Sequence, residues 1–275
     1  MKSSLLLERP NMLLCPNCKA ELKKLDRKYI CENGHSFDIA RQGYTNLLVH
    51  TQKATGDSKE MVDARDNFFK SDYYRILRLK MIELMKKYQP AVIVDAGCGE
   101  GYYTNAINEA GFDDIYGFDM SKFALMRASR DNKRVKYFAA NLFYIPLSDN
   151  SADLIYSIFA PIAMEENDRI LKEGGIFIKV GPAARHLYEM KQEVYPSVYE
   201  NEVKEIHYQG FTKIDDFVLE DKIHLKSNAD INALFKMTPY YHTSPKAGKE
   251  HLLSMDELDT TIAFKVEIYQ KDKQI

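Results

Sequence analysis

No run in this 275-residue chain comes near the ~20 consecutive apolar residues of a membrane-crossing helix, which excludes a helical span. Cysteine is scarce, and four residues are too few for a disulfide scaffold. Neither sign of charge dominates: 38 Lys and Arg stand against 40 Asp and Glu, so a uniformly basic coat for nucleic acid is excluded too. The opening MKSSLLLERP has an apolar stretch shorter than the ~7 residues of a signal-peptide core, and Glu8 and Arg9 follow at once. The expectation is a cytoplasmic protein that stays off the membrane.

With 45% apolar and 28% charged residues and a mean hydropathy of −0.41, the chain has the composition of a globular protein. At ~150 residues per domain, its length suits one large domain with a small appendage. The charge is unevenly spread. Residues 1–52 carry an excess of three positive charges and the remainder an excess of five negative. Three of the four cysteines, Cys15, Cys18 and Cys31, crowd into the same stretch, and with His35 they form C-x2-C-x12-C-x3-H. Each short pair can point two soft ligands at one ion, and Cys3His is a closed tetrahedral zinc set. With four protein ligands no position stays open, so the zinc is expected to be structural. About twenty residues between the outer ligands cannot form a core, so metal binding should supply most of the folding free energy there. Such a zinc-ribbon-like module, residues 1–50, should unfold without its metal while the larger domain stays mostly intact. Its charged and aromatic strand-like segments are compatible with an RNA-gripping face and equally with a solvated one.

Residues 51–58, TQKATGDS, are polar and turn-rich and look like a linker. Apolar residues then recur at helical spacing from Lys59 to Lys87, with Ser58 as N-cap, predicting one or two helices. Residues 51–89 are expected to form a helical linker that covers a cofactor. After Pro90 the chain alternates strand and helix signals, as doubly wound α/β proteins do. Strands are predicted at 91–97, 115–120, 135–141, 153–159 and 176–180, with two more near 211–219 and 262–269.

The first of these strands runs into Asp95-Ala-Gly97-Cys98-Gly99-Glu100-Gly101. Three alternating glycines mark a tight turn where the backbone approaches a ligand that a Cβ would block. Asp119 ends the second strand, where a carboxylate can grip ribose hydroxyls; a lesser alternative is that it merely caps the helix starting at Ser121. A dinucleotide fingerprint would want glycine where Tyr102 stands, so dinucleotide binding is demoted. Cys98 reads as a small packed residue rather than a nucleophile. The acidic residue before the glycines resembles the first motif of class I S-adenosylmethionine-dependent methyltransferases, a Rossmann-like α/β fold with a mostly parallel seven-stranded sheet. That resemblance implies that Gly97 to Gly101 hold the methionine portion, Asp119 the ribose, and Asn141 and Leu142 the adenine. Asn141 could also be an ordinary turn residue. At the end of the fourth strand, Ile158-Phe-Ala-Pro161 lacks the Asn/Asp-Pro-Pro-Tyr/Phe loop of amino-methyltransferases, which argues against exocyclic amine methylation.

Taken with CPNC…CENGHSFDIARQGYTNLL, GDSKEMVDARDNFF, DAGCGEGYYT, GPAARHLYEM and LFKMTPY, the chain from Cys15 to near its C-terminus resembles the RlmA-type large-subunit (23S) ribosomal RNA guanine-N1 methyltransferases. The resemblance implies zinc on Cys15, Cys18, Cys31 and His35. It adds cofactor contacts at Tyr74, Gly99, Glu100 and His186, and a methyltransferase domain over residues 90–275. A ribosomal RNA hairpin is the implied substrate and a homodimer the implied assembly. Tyr74 could instead pack on the sheet, and His186 could be a satisfied core or surface histidine. Guanine N1 lies on the Watson–Crick edge, so the target must be unpaired or extruded. It also carries a proton, and the sequence identifies no base to take it; His186 is one candidate and water another. Phe159, Tyr240 and Tyr241 could stack bases, although core packing is the commoner use of such rings. Two other activities fit the motifs in part: a small-molecule methyltransferase, which leaves the zinc ligands unexplained, and a non-catalytic zinc-dependent RNA-binding protein.

Overall fold

The computed structural model describes residues 12–49 and 57–273. Most of the 51–58 linker and all of residues 1–10 lie outside the described residues. Among the described residues no helix is long and apolar enough to cross a membrane.

The first segment is a small antiparallel meander of β1 (Lys23–Leu25), β2 (Lys28–Ile30) and β3 (Ser36–Asp38). A fourth strand, β4 (Thr45–Asn46), leaves this ribbon. Two helices follow, α1 (Lys59–Lys70) and α2 (Arg75–Tyr88). The Ser58 hydroxyl caps α1 by accepting from the Met61 N–H at 3.2 Å. Asp72, in the left-handed region at φ 56°, separates the helices, and its carboxylate accepts from Arg78 and from the Tyr102 hydroxyl. The helical pattern ends at Gln89, just before Pro90.

From there the chain builds β5 (Ile93–Ala96), α3 (Tyr102–Glu109), β6 (Ile115–Asp119), α4 (Lys122–Asp131), β7 (Lys136–Ala139), β8 (Ala152–Ile158), α5 (Met164–Ile170) and β9 (Leu171–Pro182). After α6 (Tyr188–Val194) come the long strands β10 (Phe211–Leu225) and β11 (Leu258–Lys271), with α7 (Asn228–Lys236) between them. The sheet order is β10-β11-β9-β8-β5-β6-β7-β4. Strands β5 to β9 are parallel, whereas β11 and β10 close the sheet antiparallel. β5 is fully buried and reads as an unbroken apolar run apart from Asp95, as a strand covered on both faces should.

All seven predicted strands are present, and the sheet has an eighth. Thr45 and Asn46 pair in parallel with Phe138 and Ala139, and the Leu47 N–H donates to the Ala139 carbonyl at 2.8 Å. Two residues carry no periodic signal, which is why the sequence does not announce this strand.

The order of strands reverses between β5 and β8, so the crevice that such a sheet offers to a ligand opens beyond their carboxyl ends. Successive residues of β5 divide between two cores. Ile93 packs in one with Phe68, Leu77, Ile107 and Leu125 from α1 to α4. Val92, Val94 and Ala96 pack in the other, which also contains Leu13, Cys15, Leu22, Cys31 and Leu47 of the ribbon and Phe118 and Phe138 of the sheet. The expected independence of the zinc module is therefore not what the packing shows: the ribbon covers part of one sheet face. Backbone bonds reinforce this, from the Leu14 N–H to the Pro146 carbonyl and from the Ser148 N–H to the Met12 carbonyl, both at 2.8 Å.

Leu22 is fully buried in that shared core. Leu22→Ala should cost about 2–5 kcal/mol of the unfolding free energy of the whole chain. Urea denaturation followed by circular dichroism should show one displaced transition; an unchanged sheet transition beside a lost ribbon would contradict the shared core.

Candidate functional site

Four ligand atoms converge in the ribbon. Cys15, Cys18 and Cys31 Sγ and one ring nitrogen of His35 all lie within 4.8 Å of one another. The His35 Nδ1 is 3.5 Å from Cys15 Sγ and 3.4 Å from Cys31 Sγ, and Cys18 Sγ is 3.7 Å from Cys31 Sγ. A tetrahedron with metal–sulfur bonds of ~2.3 Å and a metal–nitrogen bond of ~2.0 Å has edges of ~3.5–3.8 Å, so the donor set fits zinc. The Asn33 amide donates to Cys18 Sγ at 3.2 Å and holds that thiol low, at about 6, which favours the thiolate a metal requires.

The second site is a cleft of about 540 Å3 beyond the carboxyl ends of β5, β6 and β8. Eight of the ten residues predicted as cofactor contacts line it: Tyr74, Asp95, Gly97, Gly99, Glu100, Asp119, Asn141 and Leu142. The turn after β5 gives each glycine a reason. Gly97, at φ 98°, lets Ala160 approach to where a Cβ would stand only 2.4 Å from it, which seats the Ile158–Pro161 segment against the turn. Gly99, at φ 52°, faces the cleft beneath Arg65.

Two carboxylates hold this turn. Asp119 accepts the Gly99 N–H at 2.9 Å and the Ser121 N–H at 2.7 Å, so one side chain ties the glycine turn to the start of α4. Asp95 is buried and accepts from the Thr104 hydroxyl at 2.5 Å and the Tyr156 hydroxyl at 2.7 Å. Burial raises all three acids of the turn, carrying Asp95 to about 7 and pushing Glu100 and Asp119 upward. Arg65 is the sole cation among the described lining residues, set against Asp57, Asp95, Glu100 and Asp119. A cleft so rich in acids suits a ligand that carries positive charge.

Two of the ten predicted cofactor residues do not line it. Gly101 turns its missing Cβ toward Tyr137, whose hydroxyl would lie 2.6 Å away, so this glycine serves the packing of α3 on the sheet. His186 stands one layer back, behind Tyr74. Its Nδ1 accepts the Ala263 N–H at 3.2 Å, which puts the proton on Nε2, 3.4 Å from the Tyr74 hydroxyl. Burial lowers its pKa to about 4, and the only unprotonated nitrogen is already taken. The arrangement leaves no free basic nitrogen for a proton from a substrate. Asn141 serves as a turn residue as well, its side-chain oxygen accepting from the Phe143 N–H at 3.0 Å.

Residues that the sequence did not single out as cofactor ligands complete the cleft: Arg65 and Phe69 of α1, Tyr103 of α3, and Met237, Thr238 and Pro239 after α7. The Tyr103 hydroxyl is buried without a hydrogen-bond partner among the described residues, an orphan donor that a ligand in the cleft can satisfy. At the mouth, Phe159 adopts φ 54°, a left-handed backbone rare for an aromatic residue, and its half-exposed ring lies 5.5 Å from His186 and 6.0 Å from Phe264. Tyr240 and Tyr241, the other two candidate stacking rings, are partly buried against the core.

S-Adenosylmethionine suits this donor set: its sulfonium and ammonium groups meet acids, its polar groups meet an unsatisfied hydroxyl, and its size falls within a cleft of this volume. Asp95 binds its proton more tightly in the folded chain than in the unfolded one. Its contribution to the ligand-free stability is therefore lost as pH rises from about 4 to about 7. A cationic ligand favours the ionised carboxylates, so the rise in Tm produced by saturating S-adenosylmethionine should be larger at pH 7.5 than at pH 5.5. Calorimetry on the native chain and on Asp95→Asn, in which the difference should shrink, checks this. In the ribbon, metal analysis should find one zinc per chain, and Cys31→Ser should lose it; zinc-free native protein would remove the assignment.

The chain matches a family model described as RlmA, N-terminal, over residues 13–55 and one described as Methyltransferase domain over residues 94–179. It is 38% identical over 185 residues to the 23S rRNA (guanine(748)-N(1))-methyltransferase of Streptomyces fradiae, a match covering 65% of this chain and 66% of that one. It is 30% identical over 269 residues to YxjB of Bacillus subtilis (strain 168), which carries the provisional name 23S rRNA (guanine-N(1)-)-methyltransferase, and here the match covers 92% of this chain and 94% of the relative. With an S-adenosylmethionine-dependent methyltransferase sheet, a Cys3His zinc ribbon docked on its face and a relative matched almost end to end, the chain belongs to the 23S rRNA (guanine-N1)-methyltransferase family.

Proposed function

We propose that the protein transfers a methyl group from S-adenosylmethionine to N1 of a guanine in a hairpin loop of large-subunit ribosomal RNA. One observation carries this reading: the segment that lines the cleft is the segment that holds the ribbon. Asn141 and Leu142 face the cleft, Pro146 and Ser148 bond to Leu14 and Met12 of the ribbon, and Phe143 and Tyr144 between them stand exposed. RNA gripped on the ribbon is thereby within reach of the cleft. The ribbon's exposed cations, Lys19, Lys23, Lys24, Arg27 and Arg41, are the groups available for phosphates.

When bound, the donor supplies an electrophilic methyl carbon on a positively charged sulfur. The chain's residues bind and orient. Asp119 would hold the ribose, Asn141 and Leu142 the adenine, and α1 with Tyr74 would cover the methionine end. Tyr74, Phe159, Pro161 and Thr238 shape the side where an extruded base enters. No histidine is among the described residues that line the cleft, so the rate is assigned to placement of N1 in line with the methyl group rather than to an imidazole base.

Incubation with labelled S-adenosylmethionine and ribosomal RNA lacking native modification, followed by nucleoside mass spectrometry, should yield 1-methylguanosine from the large-subunit RNA. Label on another position, on a small molecule or nowhere would overturn the proposal. Lys23→Ala with Lys24→Ala should weaken RNA binding across sequences and flatten its salt dependence by about 1–2 in log–log slope, leaving cofactor affinity unchanged.

A further inference from the structure

Arg65 is held by two carboxylates yet keeps one arm free. Its Nε donates to Glu100 Oε2 at 2.6 Å and its Nη1 to Asp57 Oδ2 at 2.5 Å. Nη2 has no hydrogen-bond partner among the described residues, and it is the atom closest, at 3.3 Å, to where a Cβ on Gly99 would stand. The two carboxylates fix the guanidinium plane, and the glycine leaves the space in front of it open.

The ligand read into this cleft has a zwitterionic amino-acid end. Its ammonium group is served by the acids around the glycine turn. Its carboxylate, entering a cleft lined by Asp57, Asp95, Glu100 and Asp119, needs a cationic donor, and Arg65 is the single candidate among the described lining residues. A fixed guanidinium suits that task better than a flexible ammonium, because its N–H groups are already aimed. The unpartnered Tyr103 hydroxyl at the first turn of α3 offers a second donor on the same wall.

We propose that Arg65 reads the carboxylate of the methyl donor, presenting Nη2 across the gap left by Gly99, with Asp57 and Glu100 as the residues that position it. The inference rests on the methyl-donor reading above, and it makes α1 a specificity element rather than a passive cover.

Calorimetry on the full chain compares S-adenosylmethionine with its decarboxylated analogue, which keeps the sulfonium, ribose and adenine. A charge-assisted hydrogen bond corresponds to roughly 10–100-fold in affinity. The native chain should therefore bind the analogue about 30-fold more weakly than S-adenosylmethionine. Arg65→Gln should weaken S-adenosylmethionine by a similar factor while hardly changing the analogue, so that the preference disappears. Arg65→Lys, which keeps the charge without the fork, should lose part of the preference and decides the matter if Arg65→Gln fails to fold by circular dichroism. Equal weakening of both ligands in the variants would show that Arg65 only holds α1 in place, and equal binding of both ligands by the native chain would also overturn the assignment. A native chain that binds neither ligand would instead bring down the methyl-donor reading, a failure recognisable without any variant.

Discussion

The core shared between the ribbon and the sheet is the contact on which the rest depends. Leu13, Leu22 and Leu47 cannot bury themselves within a segment so short, and Val94, Phe118 and Phe138 would face water without them. At ~25 cal/mol per Å2 of apolar surface, separating the two sides costs stability in proportion to the surface each would re-expose. The metal enters this arrangement indirectly. By pinning Cys15 and Cys31, both buried in that core, it fixes the backbone that presents the three leucines.

The same contact positions the chemistry. Loop 141–148 is clamped from the ribbon side through Pro146 and Ser148, and its other end forms a wall of the cleft. On the opposite wall, Arg65 crosses from α1 to Glu100, so the cleft is bounded by segments that lie both before and after the glycine turn in sequence. Asp119 ties the turn to α4 with both of its oxygens. Burial disfavours the charged form of Asp95, Glu100 and Asp119, and gathering such acids around Arg65 marks a site organised for a charged ligand rather than for stability alone.

Much of this was legible in the residues. β5 to β9 are apolar runs bounded by turn signals, and the glycine turn declares itself because Gly97, Gly99 and Gly101 all need positive φ. The Cys3His spacing gave its cluster directly. What escaped did so for physical reasons. β4 is two residues long. The ribbon's leucines are isolated in sequence, so nothing local says which surface they cover. Arg65 sits on an amphipathic helix, where a charged residue is by default solvated; only the fold brings it over Gly99. For His186 the motif fixed the neighbourhood but not the layer, since one backbone bond from Ala263 turns the ring away from the cleft. Phe159 looked like any aromatic at a strand end, and nothing local in the sequence announces its left-handed backbone.

The pairing of β4 with β7 also governs the order in which the molecule can assemble. Thr45 meets Phe138 across more than ninety residues of chain, so the ribbon is synthesised long before the strand that covers it exists. During that interval its leucines lack the sheet residues they pack against in the folded chain. Closing so long a loop is entropically costly before any contact rewards it, and contacts of this separation slow folding. Bound zinc would fix the backbone around its four ligands during that wait, but the leucines find their cover only when the sheet is made.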